Sequence, residues 1–216
     1  MAALKVGVLI SGRGSNLQAL IEACQDPATA AEIVLVLSNK ANAGGLVRAA
    51  AAGVATAVID HKAYADRAGF DAELDRRLKT AGVELVCLAG FMRILTDGFI
   101  AAWRDRMINI HPSLLPAYRG LDTHARALAD GVKLAGCTVH YVRPELDTGP
   151  IIVQAAVPVA SDDTPESLAA RVLAAEHRAY PLALRLVATG RVKVEGERIV
   201  LDGRPETGAI LMNPSA

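Results

Sequence analysis

The sequence predicts an α/β fold with a doubly wound, mostly parallel sheet and an antiparallel hairpin portion towards the C-terminus. In the first half, short apolar runs alternate with helical patterns, which is typical of βαβ units in a sheet covered on both faces. In the second half, two β-rich runs are joined by a tight turn. The chain has 216 residues, 52% of them hydrophobic, which suits one domain with a substantial core.

The chain opens with a predicted strand, a glycine-rich turn and a helix. Residues 5–10 are β-rich, residues 11–16 read Ser-Gly-Arg-Gly-Ser-Asn, and apolar residues from Leu17 onward have helical spacing. We expect Ser15 or Asn16 to cap the helix. The two glycines let the backbone approach a ligand closely, so that exposed amides and the helix dipole favour a phosphate.

The turn by itself supports an anion site and a plain βα turn equally. Leu17 stands where a dinucleotide-binding fingerprint has its third glycine, and no Gly-Lys-Ser/Thr follows. The sequence therefore supports neither a typical NAD site nor a P-loop.

The first half continues with strands and helices in alternation. The predicted strands are 33–38, 55–59 and 84–89, and the predicted helices are 45–52 and about 64–79. Residues 90–95, Gly-Phe-Met-Arg-Ile-Leu, then follow at the carboxyl edge of the sheet. Apolar side chains beside an arginine could line a pocket for a flat organic ligand there. The alternative is ordinary packing at a helix start.

The next strand carries two polar side chains in an apolar context. The two-residue period of a strand sends Asn109 and His111 to one face, and Ile108 and Ile110 to the other. Pro112 should end the strand and leave the imidazole at its carboxyl end, where open α/β sheets bind ligands. A buried histidine bonded to backbone is the alternative, but it does not account for the paired amide.

The second half mixes loops, strands and one long helix. Asp147 lies in the turn 145–150 and either stabilises that turn or reaches His111. His124 is a weaker candidate at a helix start. The remaining predicted elements are a loop at 114–122, a helix at 123–130, strands at 136–141 and 151–156, a helix at 168–187, a hairpin within 191–201 and a frayed tail.

Composition excludes several classes of function. Lys plus Arg and Asp plus Glu both number 23, so no net field attracts nucleic acid or an anionic membrane. Cys24, Cys87 and Cys137 are widely spaced without a Cys-x-x-Cys motif, which indicates reduced thiols and no zinc site. Apolar runs are short, and the N-terminus lacks a signal-peptide pattern. We expect a cytoplasmic protein without nucleic-acid or membrane partners.

Four motifs in this order resemble the phosphoribosylglycinamide formyltransferases, the folate-dependent formyltransferases of purine synthesis. They are residues 11–16, Ala-Gly-Phe-Met-Arg-Ile-Leu at 89–95, Asn-Ile-His-Pro-Ser-Leu-Leu-Pro at 109–116 and Leu-Asp-Thr-Gly-Pro at 146–150. The resemblance extends from near the N-terminus to about residue 200. It implies one formyltransferase domain at 1–205, with a nucleotide-binding half at about 1–105, a catalytic and folate-binding half at about 106–205, and a tail at 206–216.

The resemblance also implies a reaction and its residues. The formyl group of 10-formyltetrahydrofolate would be transferred to the amine of glycinamide ribonucleotide, without a metal. The implied catalytic residues are Asn109, His111 and Asp147. The implied nucleotide contacts are Gly14, Ser15, Asn16 and Glu176, and the implied folate contacts are Arg67, Met92, Arg93, Ile94, Leu95 and Asn109.

The loop after the prolines departs from the commonest family pattern. Ala117, Arg119 and Asp122 stand there, and Pro144 occupies a position where an acidic residue is expected, which affects loop contacts. The related tRNA formyltransferase and formyltetrahydrofolate deformylase would each require an added domain, for which 216 residues leave no room. A non-catalytic folate or nucleotide binding protein would not need the proton-transfer pair. We expect a monomer or homodimer.

Overall fold

A computed structural model of the chain describes residues 2–202 and 212–213. Its helices and strands alternate through the first half, as predicted. In chain order they are β1 (Leu4–Ile10), α1 (Ser15–Cys24), β2 (Ala31–Ser38), α2 (Gly44–Ala51), β3 (Thr56–Val58), α3 (Arg67–Thr80), β4 (Leu85–Leu88), α4 (Asp97–Ala102), β5 (Met107–His111), α5 (Thr123–Ala129), β6 (Leu134–Tyr141), β7 (Ile151–Pro158), α6 (Pro165–Ala188), β8 (Val192–Glu195) and β9 (Arg198–Leu201).

Seven strands form one sheet in the order β3-β2-β1-β4-β5-β6-β7. Strands β1 to β5 pair in parallel, whereas β5 with β6 and β6 with β7 pair antiparallel. The predicted doubly wound sheet with an antiparallel portion is therefore confirmed. In the antiparallel register, Asn109 lies opposite His140 and His111 lies opposite Thr138.

Helices cover both faces of the sheet, and each face has its own hydrophobic core. The α1, α2, α5 and α6 helices contribute to one core, and α3 and α4 contribute to the other. In the first core, the hydroxyl of the fully buried Tyr180 lies 3.1 Å from the carbonyl oxygen of Leu88 and 3.2 Å from that of Ile108. It therefore ties α6 to two central strands.

The sequence does not predict α4, which has only six residues. Thr96 caps this helix, because its hydroxyl oxygen accepts a hydrogen bond from the N–H of Phe99 at 3.3 Å. A helix of this length shows too little periodicity to be recognised. The long helix α6 begins at Pro165, three residues before the predicted run, behind a capping box made by Thr164 and Ser167.

The predicted C-terminal hairpin is present as β8 and β9 and forms a separate two-stranded sheet. The buried guanidinium of Arg143 donates hydrogen bonds to Glu197 in the hairpin turn and to Asp105, both at 2.8 Å. The predicted tail at 206–216 lies outside the described residues except for Met212 and Asn213. None of the described helices combines the length and apolarity that crossing a membrane requires.

Candidate active site

Strand β5 carries Asn109 and His111 to the end of the sheet where they were predicted. Ile108 and Ile110 pack into the first hydrophobic core, so the two polar side chains use the opposite face. The strand ends at His111, directly before Pro112. The imidazole therefore lies where parallel α/β sheets commonly bind ligands.

The connection between β6 and β7 brings the Asp147 carboxylate to this imidazole. Nδ1 of His111 lies 3.4 Å from Oδ2 of Asp147, and the side chains are only 7% and 10% exposed. The same oxygen accepts a hydrogen bond from the N–H of Gly120 at 2.7 Å. Asp147 has a left-handed φ of 49°, which holds the carboxylate on a tight bend. Of the two roles that the sequence allowed, the geometry shows the reach to His111.

The second nitrogen of His111 also has a partner. Nε2 lies 2.9 Å from the carbonyl oxygen of Tyr118 in the loop after the prolines. A carboxylate and a carbonyl oxygen thus face the two nitrogens, which matches the two N–H groups of a protonated imidazole. For Nε2 to give its proton to a substrate, the Tyr118 carbonyl must move away.

His140, for which the sequence predicts no role, faces Asn109 from β6. Nε2 of His140 lies 3.3 Å from Nδ2 of Asn109, and Nδ1 lies 3.0 Å from the carbonyl oxygen of Thr148. Nδ1 therefore carries the proton, and Nε2 accepts from the amide. Burial lowers the pKa of His140, which favours this neutral form. His140 fixes the orientation of Asn109, and only the strand register could have revealed it.

The start of α1 corrects one prediction. Neither Ser15 nor Asn16 caps the helix, because the N-cap is Gly14, with a φ of 74° and no side-chain cap bond. A Cβ at Gly14 would collide with Cα of Gly45 in α2. Close packing of the turn against α2 therefore decides the helix start, and only glycine fits.

Asn16 turns instead towards Glu176 of α6. Its Nδ2 donates to Oε2 of Glu176 at 2.7 Å, which joins two residues predicted to bind the nucleotide. Burial raises the pKa of Glu176, and the hydrogen bond from Asn16 opposes that shift. The first N–H groups of a helix, here those of Ser15 and Asn16, have no intrahelical acceptor. Amides and carboxylate together suit an anion that also carries hydroxyl groups.

A cleft of about 160 Å³ opens beside Asn109 and Asp147. Residues 93–95 line one wall, and residues 142–148 line the other. Ile94 and Leu146 are 67% and 59% exposed, so the cleft offers apolar surface at its mouth. The cleft thus brings four predicted folate contacts, Arg93, Ile94, Leu95 and Asn109, together with Asp147.

Two predicted folate contacts do not line this cleft. The side chain of Met92 is 64% exposed and lies outside the lining. Arg67 is the first residue of α3 and also lies outside it. Phe70 of the same helix does reach the cleft, because its ring stacks on the cleft residue Phe91 with centroids 6.4 Å apart.

His124, the weaker candidate, lies half-buried on α5. Burial lowers its pKa, and the charge of His111 lowers it further. Among residues 2–202 and 212–213, no group of three or more His, Cys, Asp or Glu side chains could hold a metal ion.

Comparison with known proteins identifies the family. The family model described as formyl transferase matches residues 4–184. The chain belongs to the formyl transferase family. It is 45% identical over 201 residues to the phosphoribosylglycinamide formyltransferase of Escherichia coli, a match that covers 93% of this chain and 95% of that protein. The resemblance inferred from the four motifs is therefore confirmed.

Solved structures of the family share the fold. A glycinamide ribonucleotide transformylase from Symbiobacterium toebii superposes with a TM-score of 0.90 at 50% identity, covering 93% of this chain and 94% of that one. A formyltetrahydrofolate deformylase from Burkholderia mallei has a TM-score of 0.85 at 32% identity, covering 94% of this chain and 71% of that one.

A larger relative contains the family domain as one part. The chain is 55% identical over 191 residues to the trifunctional purine biosynthetic protein adenosine-3 of Gallus gallus. The match covers 88% of this chain but only 19% of that relative's length.

Proposed function

We propose that this chain transfers the formyl group of 10-formyltetrahydrofolate to the amine of glycinamide ribonucleotide in purine biosynthesis. Asn109, His111 and Asp147 form the proposed catalytic group. The observation that carries the proposal is the buried approach of the Asp147 carboxylate to within 3.4 Å of the His111 imidazole, beside Asn109. A protein that only binds its ligands has no need of such a proton-transfer pair.

The lining of the cleft beside Asn109 suits the folate co-substrate. It combines apolar side chains with a few polar groups, as small-molecule sites commonly do. Apolar side chains such as Ile94 and Leu146 suit the face of a flat ring. Arg93 and Leu95 complete the wall, and Arg67 and Met92 stay predicted contacts.

Asn109 acts on the formyl oxygen. The reaction joins the amine nitrogen to the formyl carbon, breaks the bond from that carbon to the folate nitrogen, and moves one proton from the amine to the departing nitrogen. One N–H of Asn109 is held by His140, which leaves the second to donate to the oxygen as it gains negative charge. Such preoriented donors stabilise transition states.

His111 and Asp147 handle the proton. Once the Tyr118 carbonyl has moved away from Nε2, a protonated His111 donates to the same oxygen and passes a proton between the two nitrogens. The Asp147 carboxylate stabilises the positive imidazole and orients its ring. The exposed fractions of 7% and 10% keep water from weakening this pair.

The nucleotide occupies the other side of the proposed site. The N–H groups of Gly14, Ser15 and Asn16 hold the phosphate at the start of α1, and Glu176 accepts hydrogen bonds from the ribose hydroxyls. The 2.7 Å bond between Asn16 and Glu176 supports this grouping. The division into a nucleotide-binding half at about 1–105 and a catalytic and folate half at about 106–205 is part of the same proposal.

One assay tests the activity against its nearest alternative. Purified protein is mixed with 10-formyltetrahydrofolate, with or without glycinamide ribonucleotide, and loss of the formyl donor and formylation of the nucleotide are followed. A transferase consumes the formyl donor in the mixture that contains the nucleotide and does not consume it in the mixture without the nucleotide. Donor loss without the nucleotide would instead identify a deformylase, the function named for the Burkholderia mallei neighbour. No donor loss in either mixture would contradict the proposal.

The proposed setting is the cytoplasm, as a monomer or homodimer with small-molecule substrates and no nucleic-acid or membrane partner. Equal numbers of basic and acidic residues, 23 each, support the absence of a polyanionic partner. Light scattering of the purified protein distinguishes the two oligomeric states.

A further inference from the structure

Ser11, the first residue after β1, makes hydrogen bonds to both neighbouring strand ends. Its hydroxyl donates to Oδ1 of Asn39 at 2.6 Å and accepts from the backbone N–H of Met92 at 2.8 Å. Its own N–H donates to the carbonyl oxygen of Gly90 at 3.1 Å. Ser11 is 5% exposed and Asn39 is 2% exposed. These bonds are therefore shielded from water.

The strand order explains this position. β1 lies between β2 and β4, so Ser11 stands between Asn39, which follows β2, and residues 90–92, which follow β4. The network continues outwards, because Nδ2 of Asn39 lies 3.4 Å from Nδ1 of His61. The Met92 N–H donates to the Ser11 hydroxyl, that hydroxyl donates to Asn39, and the Asn39 amide faces His61 as the next donor.

We propose that Ser11 is a positioning residue that holds the two substrate sites in a fixed relation to each other. It begins the turn 11–16, whose backbone amides are proposed to bind the phosphate. It also anchors the backbone of Gly90 and Met92, which come directly before residues 93–95 of the proposed folate cleft. The identity of the two ligands rests on the proposed function. Ser11 contacts neither ligand and acts through the backbone of Met92.

Ser38 provides a matched control at the same edge of the sheet. It is fully buried at the end of β2, and its hydroxyl donates to the carbonyl oxygen of Lys40 at 2.8 Å and accepts from the Lys40 N–H at 3.0 Å. Ser38→Ala removes a buried hydroxyl with the same two kinds of bond. Those bonds are local to one turn and do not involve residues 90–95.

Ser11→Ala leaves the Met92 N–H and Oδ1 of Asn39 without partners, which is costly for buried groups. We expect hydrogen exchange of the Met92 amide in the ligand-free protein to become at least about tenfold faster. We also expect the KM for 10-formyltetrahydrofolate to rise about tenfold while kcat changes less than about threefold. Ser38→Ala should change neither quantity.

The proposal is overturned if Met92 exchange is unchanged in Ser11→Ala, or if Ser38→Ala alters KM equally. Should Ser11→Ala not fold, Asn39→Ala removes the acceptor of the Ser11 hydroxyl and the amide that faces His61, while the Ser11 hydroxyl stays in place. It should speed Met92 exchange and raise KM by smaller factors, and no change in either would equally overturn the proposal. If the wild-type chain does not transfer the formyl group, the proposed function fails, whereas the exchange measurement still decides the role of Ser11.

Discussion

The parallel and antiparallel parts of the sheet differ in how they shape the proposed site. Around β1 and α1, we propose that backbone does the binding, since Gly14 packs against α2 and leaves the amides of Ser15 and Asn16 free for an anion. Around β5 and β6, we propose that side chains do the chemistry, because Asn109 and His111 project from the sheet towards the β6–β7 connection. One region is shaped by close backbone packing and the other by side-chain hydrogen bonds.

The antiparallel connection explains how Asp147 reaches His111. The N–H of Val142 bonds the carbonyl oxygen of Met107 at the start of β5, at 3.0 Å, whereas Asp147 lies beside His111 at the end of that strand. The segment 142–147 therefore runs back along β5. A return loop of this kind places a carboxylate over the face of the sheet. A side chain at the end of a strand does not reach that position.

The largest effect is expected where side chains do the chemistry. His111→Ala should lower kcat by about 10²–10⁴-fold, because it removes the group that we propose carries the proton. The Asp147 carboxylate keeps its bond from Gly120, so the fold should persist. Steady-state kinetics at saturating substrates measure the loss, and circular dichroism checks the fold. Turnover near that of the wild type would place the chemistry elsewhere.

The packed turn should respond to a single methyl group. Gly14→Ala forces a left-handed residue against Gly45, and we expect it to lower the free energy of unfolding by about 1–3 kcal/mol. At Gly12 an added Cβ meets nothing within 4 Å, so Gly12→Ala should change stability by less than about 1 kcal/mol. Urea denaturation compares the two variants. Equal losses would contradict the packing argument.

Asn16→Ala should weaken nucleotide binding rather than catalysis. The variant loses the donor to Glu176 and leaves a buried carboxylate less well satisfied. We expect the Kd for glycinamide ribonucleotide to rise about tenfold, with a smaller change in kcat. Calorimetry gives Kd directly. An unchanged Kd together with a large fall in kcat would contradict the assignment of Asn16 to nucleotide binding and would place it in catalysis.

Glu176 should make stability depend on pH. Burial raises its pKa above the ordinary 4.5, so its stabilising contribution is full below that value and is lost as pH rises through the raised pKa. Glu176→Gln lacks this loss, so its melting temperature should exceed that of the wild type by a growing margin as pH rises above the ordinary pKa of 4.5. Thermal melts across pH measure the difference. A constant difference between the two proteins would contradict the prediction.

Local patterns predict much of the fold. The buried strands follow from continuous apolar runs, and the common face of Asn109 and His111 follows from the two-residue period and Pro112. Short helix α4 offered too few residues for a pattern. The cap expected at Ser15 or Asn16 was wrong because packing against α2 overrides the local preference for a polar cap.

The site depends on contacts that no local pattern contains. Asn16 and Glu176 are 160 residues apart in the chain, and their bond requires α6 to pack beside α1. His140 meets Asn109 only through the register of β5 and β6. Family resemblance pointed to Asp147 and Glu176. The contact of His140 with Asn109 is recognised only in the three-dimensional structure, because the strand register is set by the whole sheet.

The most direct measurement is kcat together with the nucleotide Kd for Asp147→Asn. Asparagine keeps the shape and can still accept from Gly120, but it removes the charge beside His111. Asp122→Asn is the control, because Asp122 also has a left-handed φ, of 56°, and makes no side-chain cap bond. We predict that only Asp147→Asn lowers kcat, by about 10²–10⁴-fold, with Kd unchanged. Wild-type kcat in Asp147→Asn, or an equal loss in Asp122→Asn, would contradict the account.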